Sequence, residues 1–547
     1  MRQLFVILLL TSTTFARAAT FIVGDNSPEC THQTLQSAIT AAAVNGPDLD
    51  LIYVTQAIDY NNIGINISDQ SVWLFGGHTD CTLDTQDGRT SINGVGINSP
   101  NPDSVFELFS PGPDVPGDHQ IILQNLTIAF GATDLDGGGG IELAGTGMDL
   151  IMINSVLGLN ASNHGGGLFI YNSDETVEVF IRDSGFFGNL ASDNGGALSC
   201  IGGAIISMTG QSEIVSNDAD RGAGIHLDGC ELSVEDSFRA EDNIAQSDGG
   251  ALLIENGGRF HDLDHAGSQG AAEFISNQTG HRGGAVAISG LGSSLTLHGP
   301  AFIGNHAVHG GGVAAFDSAT AFVAAAPSQE ARCELNQVSS LGACLYLSND
   351  ASAVLAQARV IGNAGTSIGG TMYSGPDSFI FAESLVIAGN STGAFGANNG
   401  EGIAYFLTVA DNSETAFSLW NESSLELHSS IVEDPGQALS SVEAGSTFSN
   451  RCVASRDGQG LQGGNENQVI PVGEDIPFID RLAGNYRLNL TDPEATFYVD
   501  YCDGPAPGFA DLDGVSRPFD LDAVANGIGH YDLGAYEIGD LIFVSGF

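Results

Sequence analysis

Three side chains near the middle of the chain have the types and spacing that acid–base chemistry or cation binding requires. Asp228 and Glu255 occupy the same position in two successive repeats of the sequence, and His226 lies two positions before Asp228. Two carboxylates held close together can raise the pKa of one member or bind a cation, and a neighbouring imidazole can transfer protons. Because the chain has 66 acidic residues, a coincidental pair on an inert surface is the alternative interpretation.

Short Asp-Leu-Asp-Gly segments form a second group of candidate ligands. One segment contains Asp134 and Asp136, and another contains Asp511 and Asp513. Such loops can present oxygen ligands to Ca²⁺, although a full twelve-residue EF-hand pattern is absent. Ca²⁺ is therefore the one cofactor that the sequence indicates, and a structural role at the end of the fold is the alternative for Asp511 and Asp513.

The elements that must position these side chains are short repeated segments. An apolar residue follows a corner of small residues ten times, and five of the nine intervals between these anchors have the same length, about 27 residues. Between corners, apolar and polar residues alternate as in β-strands, and repeats of this length have room for three short strands each. The sequence therefore predicts an all-β fold, a right-handed single-stranded parallel β-helix. The predicted anchors are Ile141, Leu168, Leu198, Ile225, Leu252, Val286, Val313, Leu345, Met372 and Ile403.

An asparagine recurs eight or nine residues before most of the anchors. Asparagine tolerates the left-handed backbone conformation of a corner, and its side-chain amide can bond to the same residue one coil away. We therefore predict a column of stacked corner asparagines, made of Asn160, Asn189, Asn217, Asn243, Asn277, Asn305, Asn336 and Asn363.

The two ends of the chain differ from the repeats. The segment 32–54 predicts a short helix with Leu35, Ala38, Ile39 and Ala42 on one face, stopped by Asn-Gly-Pro at 45–47 and followed by a strand. The helix would close the first coil as a lid. The repeat fades near residue 430. We expect a signal peptide at 1–18, the lid and first coils at 19–135, repeat coils at 136–430, a C-terminal cap region at 431–540 and a tail at 541–547.

The first residues also indicate the compartment. Arg2, an apolar run and the sequence Ala-Arg-Ala form the three parts of a secretory signal peptide, and no later run is long enough for a membrane helix. Eight cysteines of an exported chain can form disulfides, with 105 possible connectivities. Their positions suggest four pairs: Cys333 with Cys344 within one repeat, Cys200 with Cys230 in neighbouring repeats, Cys30 with Cys81, which bracket the N-terminal region, and Cys452 with Cys502, which bracket the C-terminal one.

Charge restricts the partners. The formal net charge is −51, which repels nucleic acid and anionic lipid. The chain has no lysine, so a phosphate-binding P-loop is excluded. We expect a monomer on the outside of the cell whose partner is an extracellular polysaccharide or a protein on a host or neighbouring surface.

Two sets of motifs resemble known families. The segments "FFGN", "FISN" and "FIGN", with "GGA" corners, resemble the repeats of polymorphic outer-membrane proteins. The segments "DLDGVSR", with Asp511, Asp513 and Arg517, and "DLGAYE", from Asp532 to Glu537, resemble the C-terminal region of choice-of-anchor Q proteins. These resemblances imply a bacterial β-helix that is secreted or retained at the cell surface, and they imply no catalytic activity.

The residue after each anchor should point away from the core, because side chains alternate along a strand. This predicted outward column has no sustained cluster of carboxylates with a base, so we expect a non-enzymatic scaffold, adhesin-like or binding carbohydrate or protein. The alternative is a polysaccharide lyase or glycoside hydrolase that uses Asp228, Glu255 and His226. The predicted column is Phe169, Ser199, His226, Leu253, Ala287, Ala314, Tyr346, Tyr373 and Ala404.

Overall fold

The computed structural model describes most of the chain. The described residues are 18–46, 48–96, 103–110, 119–133, 137–171, 177–263, 271–327, 329–366, 369–434, 436–463, 466–471, 474–502, 510–517 and 529–537. The expected signal peptide up to residue 17, the expected tail, Asp134 and Asp136 lie outside this set.

The central coils, from residue 161 to residue 341, each pass through three parallel sheets. In one turn the chain runs through Leu168–Tyr171, Glu178–Arg182, Gly185–Phe187 and Leu190–Asn194, and it then begins the next turn at Leu198–Ile201. Every one of these strands pairs in parallel with the equivalent strand one coil away, as Leu168 does with Leu198. The fold is therefore all-β and a parallel β-helix, which confirms the predicted class.

Within the described residues, sheet A has 29 strands, because most coils contribute two strands to it. Its strands are Thr20–Val23, Asp50–Val54, Val72–Gly76, Thr90–Asn93, His119–Gln124, Leu126–Ala129, Met148–Ile153, Val156–Gly158, Glu178–Arg182, Gly185–Phe187, Ile205–Thr209, Gln211–Val215, Glu231–Val234, Ser237–Glu241, Arg259–Asp262, Ala272–Ile275, Ser294–His298, Ala301–Ile303, Thr320–Ala324, Ala331–Glu334, Ser352–Ala356, Ala358–Ile361, Phe379–Glu383, Val386–Ala388, Glu401–Tyr405, Thr408–Ala410, Ser424–Glu433, Thr447–Ser455 and Gln468–Val469.

In the same described part of the chain, sheet B has 14 strands and sheet C has seven. The strands of sheet B are Ile65–Ser68, Phe106–Ser110, Ile141–Gly145, Leu168–Tyr171, Leu198–Ile201, Ile225–Asp228, Leu252–Glu255, Val286–Ser289, Val313–Phe316, Leu345–Ser348, Met372–Ser374, Phe395–Asn398, Phe417–Trp420 and Ser440–Val442. Those of sheet C are Ala161–His164, Leu190–Asn194, Asp218–Ala219, Ile244–Ala245, Gln278–Thr279, His306–His309 and Gln337–Leu341.

The core is one continuous apolar column inside the coils. It runs from Val23 to Val453, and the anchors from Ile141 to Met372 all lie in it on sheet B. The last predicted anchor, Ile403, is wrong, because it lies in sheet A within Glu401–Tyr405. Met372 pairs instead with Phe395, which comes earlier in the chain, since the coils shorten near the C-terminal end.

The N-terminal lid forms as predicted. Helix α1 spans Leu35–Asn45 and buries Leu35, Ala38, Ile39 and Ala42 against the first coil. The Thr34 side chain caps its first turn by accepting a hydrogen bond from the Ser37 backbone amide. The helix thus covers apolar side chains that an open first coil would expose.

The predicted asparagines stack in one buried column. Each Nδ2 donates to the Oδ1 of the next asparagine, as in the 3.0 Å bond from Asn277 to Asn305. Each Nδ2 also bonds a backbone carbonyl, which for Asn277 is that of Ala240 at 2.9 Å. The column continues through Asn390 and Asn412 and meets Asp434 at 3.2 Å.

The C-terminal region lies against the side of the last coils. Parallel pairing continues to Gln468–Val469, past the boundary expected at residue 430. Beyond it, an antiparallel pair, Phe478–Asp480 with Asn485–Leu488, and a second apolar cluster pack on the outer surface of sheet A. Short 3₁₀ turns span Gly458–Gly460, Arg481–Ala483 and Pro493–Phe497.

The eight cysteines form four disulfides. The pairs are Cys30 with Cys81, Cys200 with Cys230, Cys333 with Cys344, and Cys452 with Cys502, the four that their positions in the sequence suggested. Among the described residues, no helix has both the length and the apolar character that crossing a membrane requires.

Candidate functional site

The structure brings together His226 and Glu255 on adjacent strands of sheet B. The His226 Nε2 atom lies 2.9 Å from Glu255 Oε1, and Arg221 donates two hydrogen bonds to the same carboxylate at 2.6 and 3.2 Å. Asp228 is in register with Glu255, but it accepts its hydrogen bond from the Asn256 amide at 2.9 Å. The predicted trio is therefore close in space, with Arg221 as a fourth member.

Ser199 extends this cluster into a hydrogen-bonded chain of serine, histidine and carboxylate. Its Oγ atom lies 3.2 Å from His226 Nδ1, on the strand before His226. The connectivity is that of a nucleophile, a base and an orienting acid. However, Ser199 is 0% and His226 1% exposed, so a polysaccharide cannot reach the hydroxyl. The arrangement therefore stabilises the stacked strands without an accessible nucleophile.

The Glu255 carboxylate of this cluster is already paired with a positively charged group, the Arg221 guanidinium. Ligand atoms of His226, Asp228 and Glu255 lie within 4.8 Å of one another, which is close enough for a metal ion. Burial raises the pKa of the Glu255 carboxyl, but hydrogen bonds and charges from His226 and Arg221 overcome this and lower the pKa to about 2. Because the Arg221 guanidinium occupies both carboxylate oxygens, a cation would have to displace it.

The outward column of sheet B is mostly covered, which differs from the surface that alternation predicts. Phe169, Leu253 and Ala287 are each at most 3% exposed. Side chains from the corner between sheets C and B lie over this face: the His164 ring stacks on Phe169 at 5.4 Å. The Arg282 guanidinium lies 3.8 Å above the ring of Phe316, two positions after the column residue Ala314. Ala404 does not belong to the column, because it lies in sheet A.

The carboxylates of the C-terminal Asp-Leu-Asp-Gly segment are bonded to other groups of the chain. Asp511 is buried, and its carboxylate accepts hydrogen bonds from the backbone amides of Asp513, Val515 and Glu537 at 2.6 to 2.9 Å. The Asp513 carboxylate pairs with both arms of the Arg487 guanidinium. A cation at this segment would therefore have to compete with these hydrogen bonds and this ion pair, and the Ca²⁺ assignment stays a prediction.

The two C-terminal motifs meet around one buried cation. The Arg517 side chain donates to Glu537 Oε2 at 2.9 Å and to the Gly534 carbonyl at 2.9 Å. Its guanidinium also lies 3.8 Å from the centre of the Phe406 ring, which belongs to a coil of the β-helix. Burial lowers the pKa of Arg517, and neighbouring carboxylates oppose that effect. The motifs thus hold the C-terminal region against the solenoid.

Sequence reasoning missed a pair of carboxylates at the N-terminal end of sheet B. Glu107 and Glu142 are in register on adjacent strands, and the Tyr171 hydroxyl donates to Glu142 at 2.7 Å. Burial, Asp103 and Glu142 together raise the pKa of the Glu107 carboxyl. A signal for Glu142 was present, because it directly follows the anchor Ile141.

Sequence reasoning also missed a cleft at the other end of the same sheet. The cleft has a volume of about 370 Å³, and its wall carries two aromatic rings, two amides and one carboxylate. Its lining residues are Leu341, Tyr373, Asn398, Trp420, Asn421 and Glu443. Tyr373 was in the predicted column, but the shortening of the coils concealed that Asn398 and Trp420 lie beside it.

Known proteins offer no assignment for these sites. The likeness to polymorphic outer-membrane proteins and choice-of-anchor Q proteins rests on the short motifs alone and stays a prediction. The sequence matches no protein-family model and no curated protein.

Proposed function

We propose that this protein is a non-enzymatic scaffold, secreted or held at the outer surface of a bacterium, that binds extracellular carbohydrate. The observation that carries the proposal is the contrast along sheet B. In its centre Ser199 and His226 are buried and the Glu255 carboxylate is paired with Arg221, whereas the C-terminal end opens into a cleft with aromatic and amide side chains. Such a surface can bind sugars without transforming them.

Export is supported by the cysteines and by the first residues of the sequence. All eight cysteines are in disulfides, which form and persist in oxidising compartments. The signal-peptide pattern at residues 1–18 agrees with that location. Attachment at the surface rests on the motif resemblance of the C-terminal region.

The test is a screen of the purified exported chain against neutral and acidic polysaccharides. Binding is scored by retention in affinity electrophoresis, and turnover by new reducing ends and unsaturated products. We expect binding without products, in the wild type and in Glu255→Gln alike. Turnover that disappears in Glu255→Gln while the fold persists would overturn the scaffold and support an enzyme centred on His226.

A second candidate function is polysaccharide hydrolysis at Glu107 and Glu142. Residues in register on paired strands are roughly 4.8 Å apart, which is near the roughly 5 to 5.5 Å between the two carboxyls of retaining glycosidases. The raised pKa of Glu107 suits a general acid, and the stacked rings of Phe169 and Tyr171, 4.9 Å apart, lie beside the pair. The substrate class would again be a polysaccharide.

This second candidate has its own test. If the pair is catalytic, Glu107→Gln and Glu142→Gln each abolish the release of reducing ends, and Glu178→Gln, on an exposed strand end of sheet A, does not. The absence of reducing ends from every polysaccharide in the screen rejects hydrolysis at this pair.

A further inference from the structure

The cleft at the C-terminal end of sheet B has the composition of a sugar site. Its volume of about 370 Å³ lies within the roughly 300 to 1,000 Å³ of small-molecule sites. Trp420 is half-buried, so part of its ring faces the cleft. Aromatic rings stack on the apolar faces of pyranoses, which fits the partly exposed ring of Trp420. The neighbouring Tyr373 is 6% exposed and forms part of the wall.

The register of sheet B explains why a cleft exists at this position. Tyr373 is the last large residue of the outward column, and the next strands carry Gly396 and then Ser418 at the same position. The stacked rings of Tyr346 and Tyr373, with centroids 5.5 Å apart, are therefore followed by small residues, which leave a depression in the surface. Two positions further along the strands, Asn398 and Trp420 are in register and form one wall of this depression.

The polar groups of the cleft are held in place before a ligand arrives. Asn421 Nδ2 donates to Asn398 Oδ1 at 2.7 Å, and the Asn398 side chain is also hydrogen-bonded to Tyr373. Asn421 adopts the left-handed conformation with φ 48°, which fixes its side chain at a corner. The backbone amide of Glu443 is bonded to the Leu419 carbonyl at 2.9 Å, so its carboxylate projects from a fixed point.

The charge of the cleft selects among sugars. Glu443 is its one ionised lining residue, and no arginine or histidine lines it among the described residues. A carboxylate accepts hydrogen bonds from sugar hydroxyls and repels the carboxylate of a uronic acid. The net charge of −51 adds a long-range repulsion of polyanions.

We propose that this cleft is a binding site for a neutral pyranose unit of an extracellular polysaccharide, with Trp420 as the stacking surface, Tyr373 as part of the wall and Glu443 as the group that excludes uronic acids. This inference rests on the proposed binding function and adds the site, the ligand class and the basis of selectivity.

The experiment uses the full exported chain and oligosaccharides of defined length. The chain has two tryptophans, so the Trp73→Phe variant leaves Trp420 as the single indole reporter. In this variant, we expect cellohexaose, maltohexaose or mannohexaose to change the indole fluorescence in a saturable way, and oligogalacturonate not to do so. Failure of all three neutral probes to bind overturns the proposal.

Substitutions then separate the roles of the lining residues. Trp420→Ala and Asn421→Gly should each weaken binding by about tenfold, measured by calorimetry, and glycine keeps the left-handed corner intact. Leu482→Ala, an exposed apolar residue outside the cleft, is the matched control and should bind as the wild type does. Binding that withstands both cleft variants would leave a carbohydrate-binding scaffold but reject this site.

Glu443 has a separate test, because its proposed role is selectivity. At a salt concentration that screens the overall charge, Glu443→Gln should bind oligogalacturonate at least several-fold better than the wild type and should retain binding of the neutral probe. Glu422→Gln removes an exposed carboxylate from the preceding corner, outside the cleft, and is the charge-matched control. Equal gains in both variants would show general electrostatics and contradict the selectivity role.

Discussion

Ionisation of the Glu255 carboxyl makes the folded chain more stable at neutral pH than at acidic pH. Its pKa is lowered from 4.5 to about 2 in the folded chain, so its stabilisation is present above about pH 4.5 and is lost as the pH falls toward 2. We expect Glu255→Gln to reduce the free energy of unfolding by about 2 kcal/mol at pH 7, because a partly buried charged pair is broken. Denaturant unfolding between pH 7 and pH 2 measures this difference.

The difference between Glu255→Gln and the wild type should shrink as the pH approaches 2. Asp228→Asn is the matched control, because Asp228 occupies the same strand position one coil earlier but pairs with neutral Asn256. A loss of stability in Glu255→Gln that is the same at every pH would contradict the ionised pair.

Asp434 should have the opposite effect. It ends the asparagine column, and burial raises the pKa of its carboxyl from 3.8 to about 7 despite the hydrogen bonds from Asn412. Because the folded pKa lies above the unfolded value, its ionisation costs stability increasingly as the pH rises from about 4 to about 7.

Asp434→Asn should therefore stabilise the chain by about 1 kcal/mol at pH 7 and give no advantage below about pH 4. By strand register, the new amide would reach the Val409 carbonyl, as Asn412 reaches that of Ile387 at 3.0 Å. Thermal unfolding at pH 4 and pH 7 measures the effect, and a variant less stable than the wild type at pH 7 would refute it.

At the scale of single residues, the sequence predicted the strand position of a residue better than it predicted the burial and the contacts of that residue. Asp228 and Glu255 share a register because each lies three residues after an anchor, Ile225 or Leu252. The burial of Ser199 and the approach of Arg221 depend on how the corner between sheets C and B is folded. Residue spacing carries no information about the backbone path at that corner, so these contacts were not predictable.

At the scale of the repeated element, one corner position precedes every asparagine of the column and requires a left-handed backbone. Glycine supplies this conformation at Gly188 and Gly304, but Leu159 adopts it with φ 57° and is 58% exposed. A branched or bulky residue is unfavourable in this region, and asparagine is tolerated.

Leu159→Asn should therefore stabilise the chain by roughly 0.5 to 1 kcal/mol. Leu190→Asn changes a similarly exposed leucine in a strand of sheet C, where no left-handed strain is relieved, and it serves as control. Chemical denaturation of both variants measures the contrast, and a stabilisation no greater than the control's would contradict the strain argument.

The period of the element was predictable, and its variation was not. The recurring interval identified the anchors up to Met372, because glycine corners and asparagines mark each coil. The step from Met372 to Phe395 is shorter than any interval between the earlier anchors, so the next apolar match at Ile403 fell on the wrong sheet. Asn390 and Asn412 were not predicted as members of the asparagine column for the same reason, since their positions differ by only 22.

At the scale of the whole molecule, the C-terminal region is joined to the side of the solenoid by contacts between distant parts of the chain. Arg517 bonds Glu537 and contacts Phe406, and the Gln357 amide donates to the Asp511 carbonyl at 2.9 Å. The motifs predicted a cap region, but the coils that it contacts depend on the complementary outer surface of sheet A, which no motif describes.

Binding along sheet B is the central claim for the whole molecule, and hydrogen–deuterium exchange locates it directly. The measurement compares the full exported chain alone with the chain saturated by each of cellohexaose, maltohexaose and mannohexaose. The account predicts that at least one of them slows exchange in Phe395–Asn398 and Phe417–Trp420, and leaves Phe106–Ser110 and Ile141–Gly145 unchanged. Protection confined to the two N-terminal strands, or no protection with any of the three, would contradict it.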